Sequence, residues 1–335
     1  MRATLKDVAA RADVSAKTVS NVINGSAVVR PDTRARVEAA LAELDYVPNL
    51  SARGLRNGRS GVIALALPDL ATAYSAEMAH AFVEAAHERG WAVQIEETGA
   101  RPEREATLLS RARARMVDGV VLNPTVADEF ALPDDPQLRP AAVLIGEVPQ
   151  NQLDQVLVDP DHAAYDMTTL LARAGHQRIA VVGAALATNT FTSVLRTRGY
   201  RRALADAGLG SDARLEIACD DWTARGGAAA VSAFLDRERL PDAFFCFTDT
   251  LAIGVLSELW RRGIHIPHDV SVAGFDDVAD GEFAVPPLTT VSFDKRAFAD
   301  EALELLAGRI ADRGSPARAV TVPYRIVQRE STRQR

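Results

Sequence analysis

The sequence predicts a small all-helical head followed by a larger α/β body built on parallel sheets. Three observations predict it. Residues 4–45 repeat apolar side chains at helical spacing. From Val62 onward, short apolar runs alternate with helix-length segments. The charge divides at the same place: residues 1–60 carry ten Lys/Arg and six Asp/Glu, a net of +4 within a chain whose total is −7. A basic head on an acidic body fits a nucleic-acid module joined to a domain with another task.

In the head, Leu5, Val8 and Ala9 give an i, i+3, i+4 stripe, and the pattern breaks at Asp13-Val14. Ser15 is placed to cap a second helix whose inner side is Val19, Val22 and Ile23, and Asn24-Gly25 ends it. Pro31 and Asp32 suit the first turn of a third helix with inner face Val37, Ala40, Leu41 and Leu44. Residues 46–60 contain Pro48, Gly54 and Gly58 and read as a connector.

In the body, strands are expected at Val62–Leu67, Ala92–Ile95, Gly119–Leu122, Val143–Ile145, Ile179–Val182, Phe244–Phe247 and Val270–Gly274. Helices are expected at Ser75–Arg89, Asp161–Ala174, Leu195–Ala207 and Thr250–Arg262. This βαβα rhythm implies parallel strands covered on both faces. About 275 residues of it exceed one ordinary core, so two subdomains are expected.

Composition narrows the function. A hydrophobic share of 47% with 25% charged residues is that of a globular protein. No stretch reaches the roughly 18 apolar residues of a membrane span. The first residues, Met-Arg-Ala-Thr-Leu-Lys-Asp, do not read as a signal peptide, so a cytoplasmic protein is expected. Cys219 and Cys246 have no CxxC spacing and are expected to be reduced and packed. His265-Ile-Pro-His268 is only a pair, short of a zinc site. No GxSxG, P-loop or GxGxxG follows a strand, so no catalytic residue, metal or cofactor is assigned and the chain is not read as an enzyme.

The second helix is the most informative segment. Lys17 and Asn21 stand four apart opposite Val19, with Ala16 in the first turn. Such a face can enter the major groove: Lys donates to guanine acceptors and Asn pairs bidentately with adenine. Thr4, Ser15, Thr18, Ser20, Asn24 and Arg34 are candidate phosphate or positioning contacts. A solvated helix in a small three-helix domain has the same periodicity.

Thr4-Leu-Lys-Asp-Val-Ala-Ala, Val14-Ser-Ala-Lys-Thr-Val-Ser-Asn-Val-Ile-Asn-Gly, Thr33-Arg-Ala-Arg-Val-Glu-Ala-Ala and Leu44-Asp-Tyr-Val-Pro-Asn run in order. Together they resemble the DNA-binding head of the lactose/galactose-repressor (LacI/GalR) family. The resemblance implies a helix-turn-helix head at 1–47 in which Ala16, Lys17 and Asn21 read bases, though many members carry Arg at the position of Asn21. It implies a hinge at 48–60 that turns helical on DNA. There Leu55 would wedge into the minor groove, with Ala52 beside it and Arg53 and Arg56 near phosphates.

Pro68-Asp-Leu, Val117-Asp-Gly-Val-Val-Leu, Gly175-His-Gln-Arg-Ile-Ala, Arg196-Thr-Arg-Gly-Tyr, Phe275-Asp-Asp and Pro286-Pro-Leu-Thr-Thr-Val extend the likeness through the body. The implied core, 61–335, is periplasmic-binding-protein-like, with two Rossmann-like subdomains: an N-subdomain at about 61–159 and 290–319, and a C-subdomain at about 160–289 and 320–330. Crossings are expected near Asp159–Asp161, Pro287–Ser292 and Arg318–Val322. Ligands of open α/β sheets bind beyond the strands' carboxyl ends, which places an effector there independently. The matching cleft residues are Tyr74, Asp159, Thr192, Arg196, Trp222, Thr248 and Asp276.

The cleft departs from the family where many members read Asn-Pro-Phe-Phe/Tyr and this chain reads Thr72-Ala-Tyr-Ser. It departs again at Leu144-Ile-Gly-Glu, where many carry Asp, and at Val158-Asp-Pro, where many have Val-Asp-Asn. The expected partners are a palindromic double-stranded operator, a sugar-like effector and a second copy of the chain, with no membrane. Two copies are expected because a palindrome needs two-fold symmetry, and a dimer, not a tetramer, because the chain stops soon after the last strand without a heptad tail. A transport-type binding protein is the rival reading of the core. The head argues against it.

Overall fold

The computed structural model describes residues 3–24, 28–46, 59–110, 116–124, 135, 141–148, 150–184 and 190–333. It divides into a unit of Met1–Ser60 and a unit of Gly61–Arg335.

The head contains α1 (Leu5–Ala12), α2 (Ala16–Asn24) and α3 (Pro31–Glu43). Thr4 opens α1 with a capping box: its hydroxyl accepts from the Asp7 N–H, and the Asp7 carboxylate accepts from the Thr4 N–H at 2.8 Å. Asp13 turns the chain at φ +53°, a left-handed conformation that Asp tolerates. Ser15 then caps α2, its Oγ accepting the Thr18 N–H at 3.1 Å. Val8, Val19 and Val37, one from each helix, are fully buried at the centre of the head, and Leu5, Ile23, Leu41 and Leu44 pack around them.

Among the described residues the core builds two six-stranded sheets. The first is ordered β11-β5-β4-β3-β1-β2, from β1 (Val62–Leu67), β2 (Ala92–Glu97), β3 (Gly119–Leu122), β4 (Ala142–Ile145), β5 (Asp154–Leu157) and β11 (Ala319–Thr321). The second is ordered β12-β10-β9-β8-β6-β7, from β6 (Ile179–Ala184), β7 (Glu216–Ala218), β8 (Ala243–Cys246), β9 (Ser271–Phe275), β10 (Thr289–Phe293) and β12 (Tyr324–Val327). Their pairings are parallel except β10 with β12, where an antiparallel strand closes one edge. The central strands β3, β4, β8 and β9 are buried at every residue, as strands covered on both faces must be.

The connecting helices are α4 (Ala73–Glu88), α5 (Pro102–Leu109), α6 (Pro160–Arg173), α7 (Phe191–Asp206), α8 (Ala224–Leu235), α9 (Asp249–Arg261), the single turn α10 (Ala279–Glu282) and α11 (Lys295–Ala311). α6 and α7 pack so closely that a Cβ on Gly199 would lie 2.0 Å from the Asp161 carbonyl oxygen.

The chain passes between the sheets three times. The first passage follows β5 and falls where the sequence places it. The second is later than expected. Thr289–Val291 pair with β9, so 289–293 belong to the second sheet, and the chain returns to the first only through α11. The third is also later, because Ala319–Thr321 pair with β5 before β12 begins at Tyr324. The expected pieces 290–319 and 320–330 are therefore corrected to about 294–321 and 324 onward. The ladder hydrogen bonds, not the apolar pattern, decide these boundaries.

Candidate functional site

On the head, α2 carries Lys17 exposed, while Asn21 is half-buried on the same helical face. Ala16 is half-buried and packs against the head's apolar cluster, so it offers a short wall more than a contact arm. Thr4 and Ser15 spend their hydroxyls as helix caps, and Thr18 Oγ1 lies 2.9 Å from Ser15 Oγ. Ser20 is half-buried on α2, and Asn24 is that helix's last residue. Arg34 is half-buried on α3 with Glu38 3.9 Å away. The hinge residues Ala52, Arg53, Leu55 and Arg56 lie outside the described residues.

In the core, a cavity of about 600 Å³ opens between the two sheets at the carboxyl ends of their strands. From the first sheet come the ends of β1, β2, β3 and β4, represented by Asp69, Glu97, Asn123 and Glu147. From the second come Gly183, the first turns of α7 and α9, the loop after β7 and the end of β9. Six of the seven cleft residues anticipated from the sequence meet here: Tyr74, Thr192, Arg196, Trp222, Thr248 and Asp276. Asp159 does not. Its exposed carboxylate accepts the His162 N–H at 3.0 Å and caps α6 at the first passage between sheets, outside the cavity lining.

Arg196 is the best-held side chain of the group. Its Nη2 donates to Glu147 Oε1 at 3.0 Å, and its Nη1 donates to the Phe247 carbonyl. Its guanidinium carbon lies 3.4 Å from the Phe275 ring centroid, a cation–π stack. Glu147 also accepts from the Thr192 hydroxyl. The two charged side chains are only 6% and 9% exposed, which strengthens their attraction over a surface pair's.

Asp276 and Asp277 both have positive φ, +110° and +50°. Such conformations cost on the order of 1–3 kcal/mol each in non-glycine residues and persist only when surroundings enforce them. Here the Asp276 N–H donates to the Val291 carbonyl at 2.9 Å, and Lys295 Nζ donates to both aspartate carbonyls at 2.7 and 3.0 Å. Asp277 pairs with Arg329 at 2.8 Å. Burial pushes the Asp276 carboxyl well above the usual range, despite the pull of Arg196. Burial, with Asp276 and Glu147 nearby, likewise raises the Tyr74 phenol, which stays a hydrogen-bond donor.

Sequence reasoning singled out Glu147 only as a departure and did not place Asn123, Cys219, Asp220 or Asp221 in the cleft. All sit at or just beyond strand ends, so the strand-end rule was the signal available. Cys219 is buried and its thiol is pushed up to about 11, chiefly by burial. Cys246 is buried as well, and neither cysteine is in a disulfide.

Residues 4–49 match the bacterial regulatory proteins, lacI family. Residues 168–332 match a periplasmic binding protein-like domain. The chain is 30% identical over 336 residues to catabolite control protein A of Priestia megaterium, covering 99% of this chain and 100% of that protein. Among solved structures it is similar to the lac repressor dimer bound to operator and the anti-inducer ONPF. That likeness has a TM-score of 0.84 at 27% identity, over 99% of each chain. It is also similar to the transcriptional regulator CelR in complex with cellobiose, with a TM-score of 0.69 at 32% identity over 98% of this chain and 100% of that one. The chain belongs to the LacI family of transcriptional regulators, non-enzymatic proteins that join a DNA-binding helix-turn-helix head to a periplasmic-binding-protein-like effector core.

Proposed function

We propose that this regulator is a cytoplasmic repressor that binds a palindromic operator as a homodimer and is controlled by a sugar-like effector in the core cavity. Lys17 and Asn21 read base edges, Ala16 permits close approach, and Thr4, Ser15, Thr18, Ser20, Asn24 and Arg34 position the head on the backbone. Residues 49–57 act as the hinge, with Leu55 as the minor-groove wedge. The observation that carries the effector reading is the convergence of Arg196, Asp276, Tyr74 and Trp222 on one cavity at the strand ends of both sheets. Aromatic faces with hydroxyl-matching polar groups are what a pyranose requires. The exposed Phe283 and Val285 on one loop of the second subdomain, 81% and 88% accessible, supply an apolar patch for self-association.

The test is genomic footprinting of the full-length protein, followed by binding to the recovered duplex with and without sugars. A two-fold symmetric site, two chains per duplex and a sugar-dependent change in affinity are expected. Equal binding to scrambled duplex would overturn the DNA reading, and operator affinity indifferent to every cavity ligand would overturn the effector reading.

A further inference from the structure

Resting on the reading that the cavity holds the effector, we infer that the ligand is a polyhydroxylated amine: a sugar-sized molecule that presents an ammonium group to Asp276.

The charge around the cavity is one-sided. Asp69, Glu97, Glu147, Asp220, Asp221 and Asp276 line it, against a single cation, Arg196, among the described lining residues. That cation is already engaged. Glu147 takes one terminal nitrogen, the Phe247 carbonyl takes the other, and the Phe275 ring covers its face, while its Nε is buried with no partner among the described residues. A phosphate or carboxylate seeking Arg196 would have to displace Glu147, leaving a carboxylate 9% exposed beside a second anion.

Helix ends act in the opposite sense, because α4, α7, α8 and α9 all begin at this cavity and helix N-termini favour anions. Each is closed by a threonine. The hydroxyls of Thr72, Thr190, Thr223 and Thr248 accept N–H groups from the first turns of their helices. At roughly half a charge apiece, four helix ends do not offset the surplus of carboxylates.

Asp276 is the independent pointer. It is 95% buried and lines the cavity, yet its carboxylate makes no hydrogen bond or ion pair among the described residues. Burial holds its carboxyl well above the usual range, and Asp249 and Glu147 push the same way. An ammonium placed there relieves all three effects. Asn123 and several Thr and Ser side chains around the wall supply partners for hydroxyls, and Tyr74 and Trp222 supply faces for a ring or a cation.

The test uses the full-length protein and matched sets of hexoses in the gluco, galacto and manno configurations. Each set contains the 2-amino-2-deoxy sugar, the neutral parent, the 6-phosphate and the uronate. Calorimetry and thermal midpoints at fixed ionic strength are the readouts. At least one amine should bind about tenfold or more tighter than its neutral parent, with its phosphate and uronate counterparts weakest. Asp276→Asn should erase the amine's advantage. Glu147→Gln, which frees Arg196, should raise affinity for the uronate. Parity between amine and neutral parent, a preference for either acid, or no amine binding would each overturn the inference. If a neutral or acidic sugar bound and altered operator affinity, the inference would fall while the regulator reading stood.

Discussion

Glu147 and Arg196 belong to opposite subdomains, and their charged atoms meet 3.0 Å apart across the cleft. Glu147 lies just beyond the first sheet's β4, and Arg196 lies in α7 of the second subdomain. Glu77 of α4 forms a second tie of this kind, accepting from the Ala279 N–H at 2.7 Å, while Lys295 of its own subdomain pairs with it at 3.0 Å. Both ties join the subdomains beside the cavity, so a ligand that bears on either one would couple occupancy to the angle between subdomains. Arg196→Ala should abolish effector response while leaving operator binding intact. It should also strand Glu147, destabilising the core by about 3 kcal/mol. Glu147→Gln keeps a hydrogen-bonding group and should cost less. Unaltered effector response in Arg196→Ala, followed by anisotropy on operator DNA, would remove Arg196 from the mechanism.

The head offers a contrast between two cations. Lys17 projects from the exposed face of α2, whereas Arg34 lies on α3 near Glu38. Lys17→Ala should change which bases are preferred, with a loss of about 1–3 kcal/mol confined to the specific site. Arg34→Ala should weaken all duplexes alike and reduce the slope of log affinity against log salt by about one. Titrations on specific and random duplex at several salt concentrations separate the two. An equal loss on both duplexes for Lys17→Ala would contradict its role.

Gly199 is a packing constraint with no part in ligand contact. A Cβ there would lie 2.0 Å from the Asp161 carbonyl oxygen and 3.0 Å from the Tyr165 nitrogen, both backbone atoms of α6. Backbone cannot yield by a rotamer change, so Gly199→Ala must push α6 and α7 apart. The expected destabilisation is about 3 kcal/mol or more, since overpacking typically costs about 1–3 kcal/mol even where side chains can shift. Urea denaturation followed by tryptophan fluorescence measures it. A midpoint equal to that of the parent chain would show that the helices separate freely.

What the sequence left legible follows from what it used as a signal. β1 and β3, apolar throughout, fall at the expected residues, and the helices α4, α6, α7 and α9 are displaced by only one to four residues at their ends. β5 was missed because it opens with Asp154 and Gln155, which no apolar pattern marks. Asp154 is buried against Arg309 from α11, with both nitrogen–oxygen distances at 2.9 Å, a partner 155 positions away. β12 carries an exposed Arg325 at a sheet edge and lacks an apolar run for the same kind of reason. The cleft was readable where residues stand at strand ends. Asp159 caps α6 outside the cavity whereas Thr248 caps α9 and lines it, so residue type alone does not separate the two positions.

Asp249 gives the core a pH dependence whose sign is fixed by its burial. It is fully inaccessible, accepts the Thr290 hydroxyl at 2.6 Å and the Val278 N–H at 2.9 Å, and its carboxyl is raised to about 7, chiefly by burial. Thr290 and Val278 pull it down, Asp277 pushes it up and Lys295 lowers it. A carboxyl whose folded pKa exceeds its unfolded value near 4 binds more protons in the folded state. Its contribution is therefore complete below about pH 4 and is lost as the pH rises through 7. Between pH 6 and pH 8 the core should lose about 1 kcal/mol from this group alone. Asp276, raised in the same direction, adds to the trend. His176 opposes it at the acid end, because burial holds its pKa below 6.5 and its neutral form is lost as the pH falls. Comparing Asp249→Asn with the parent chain isolates the effect, since Asn keeps the shape of the protonated acid. The difference in denaturation free energy between the two proteins should widen by about 1 kcal/mol from pH 6 to pH 8, in favour of the variant. A constant difference across that window would show that Asp249 does not titrate there.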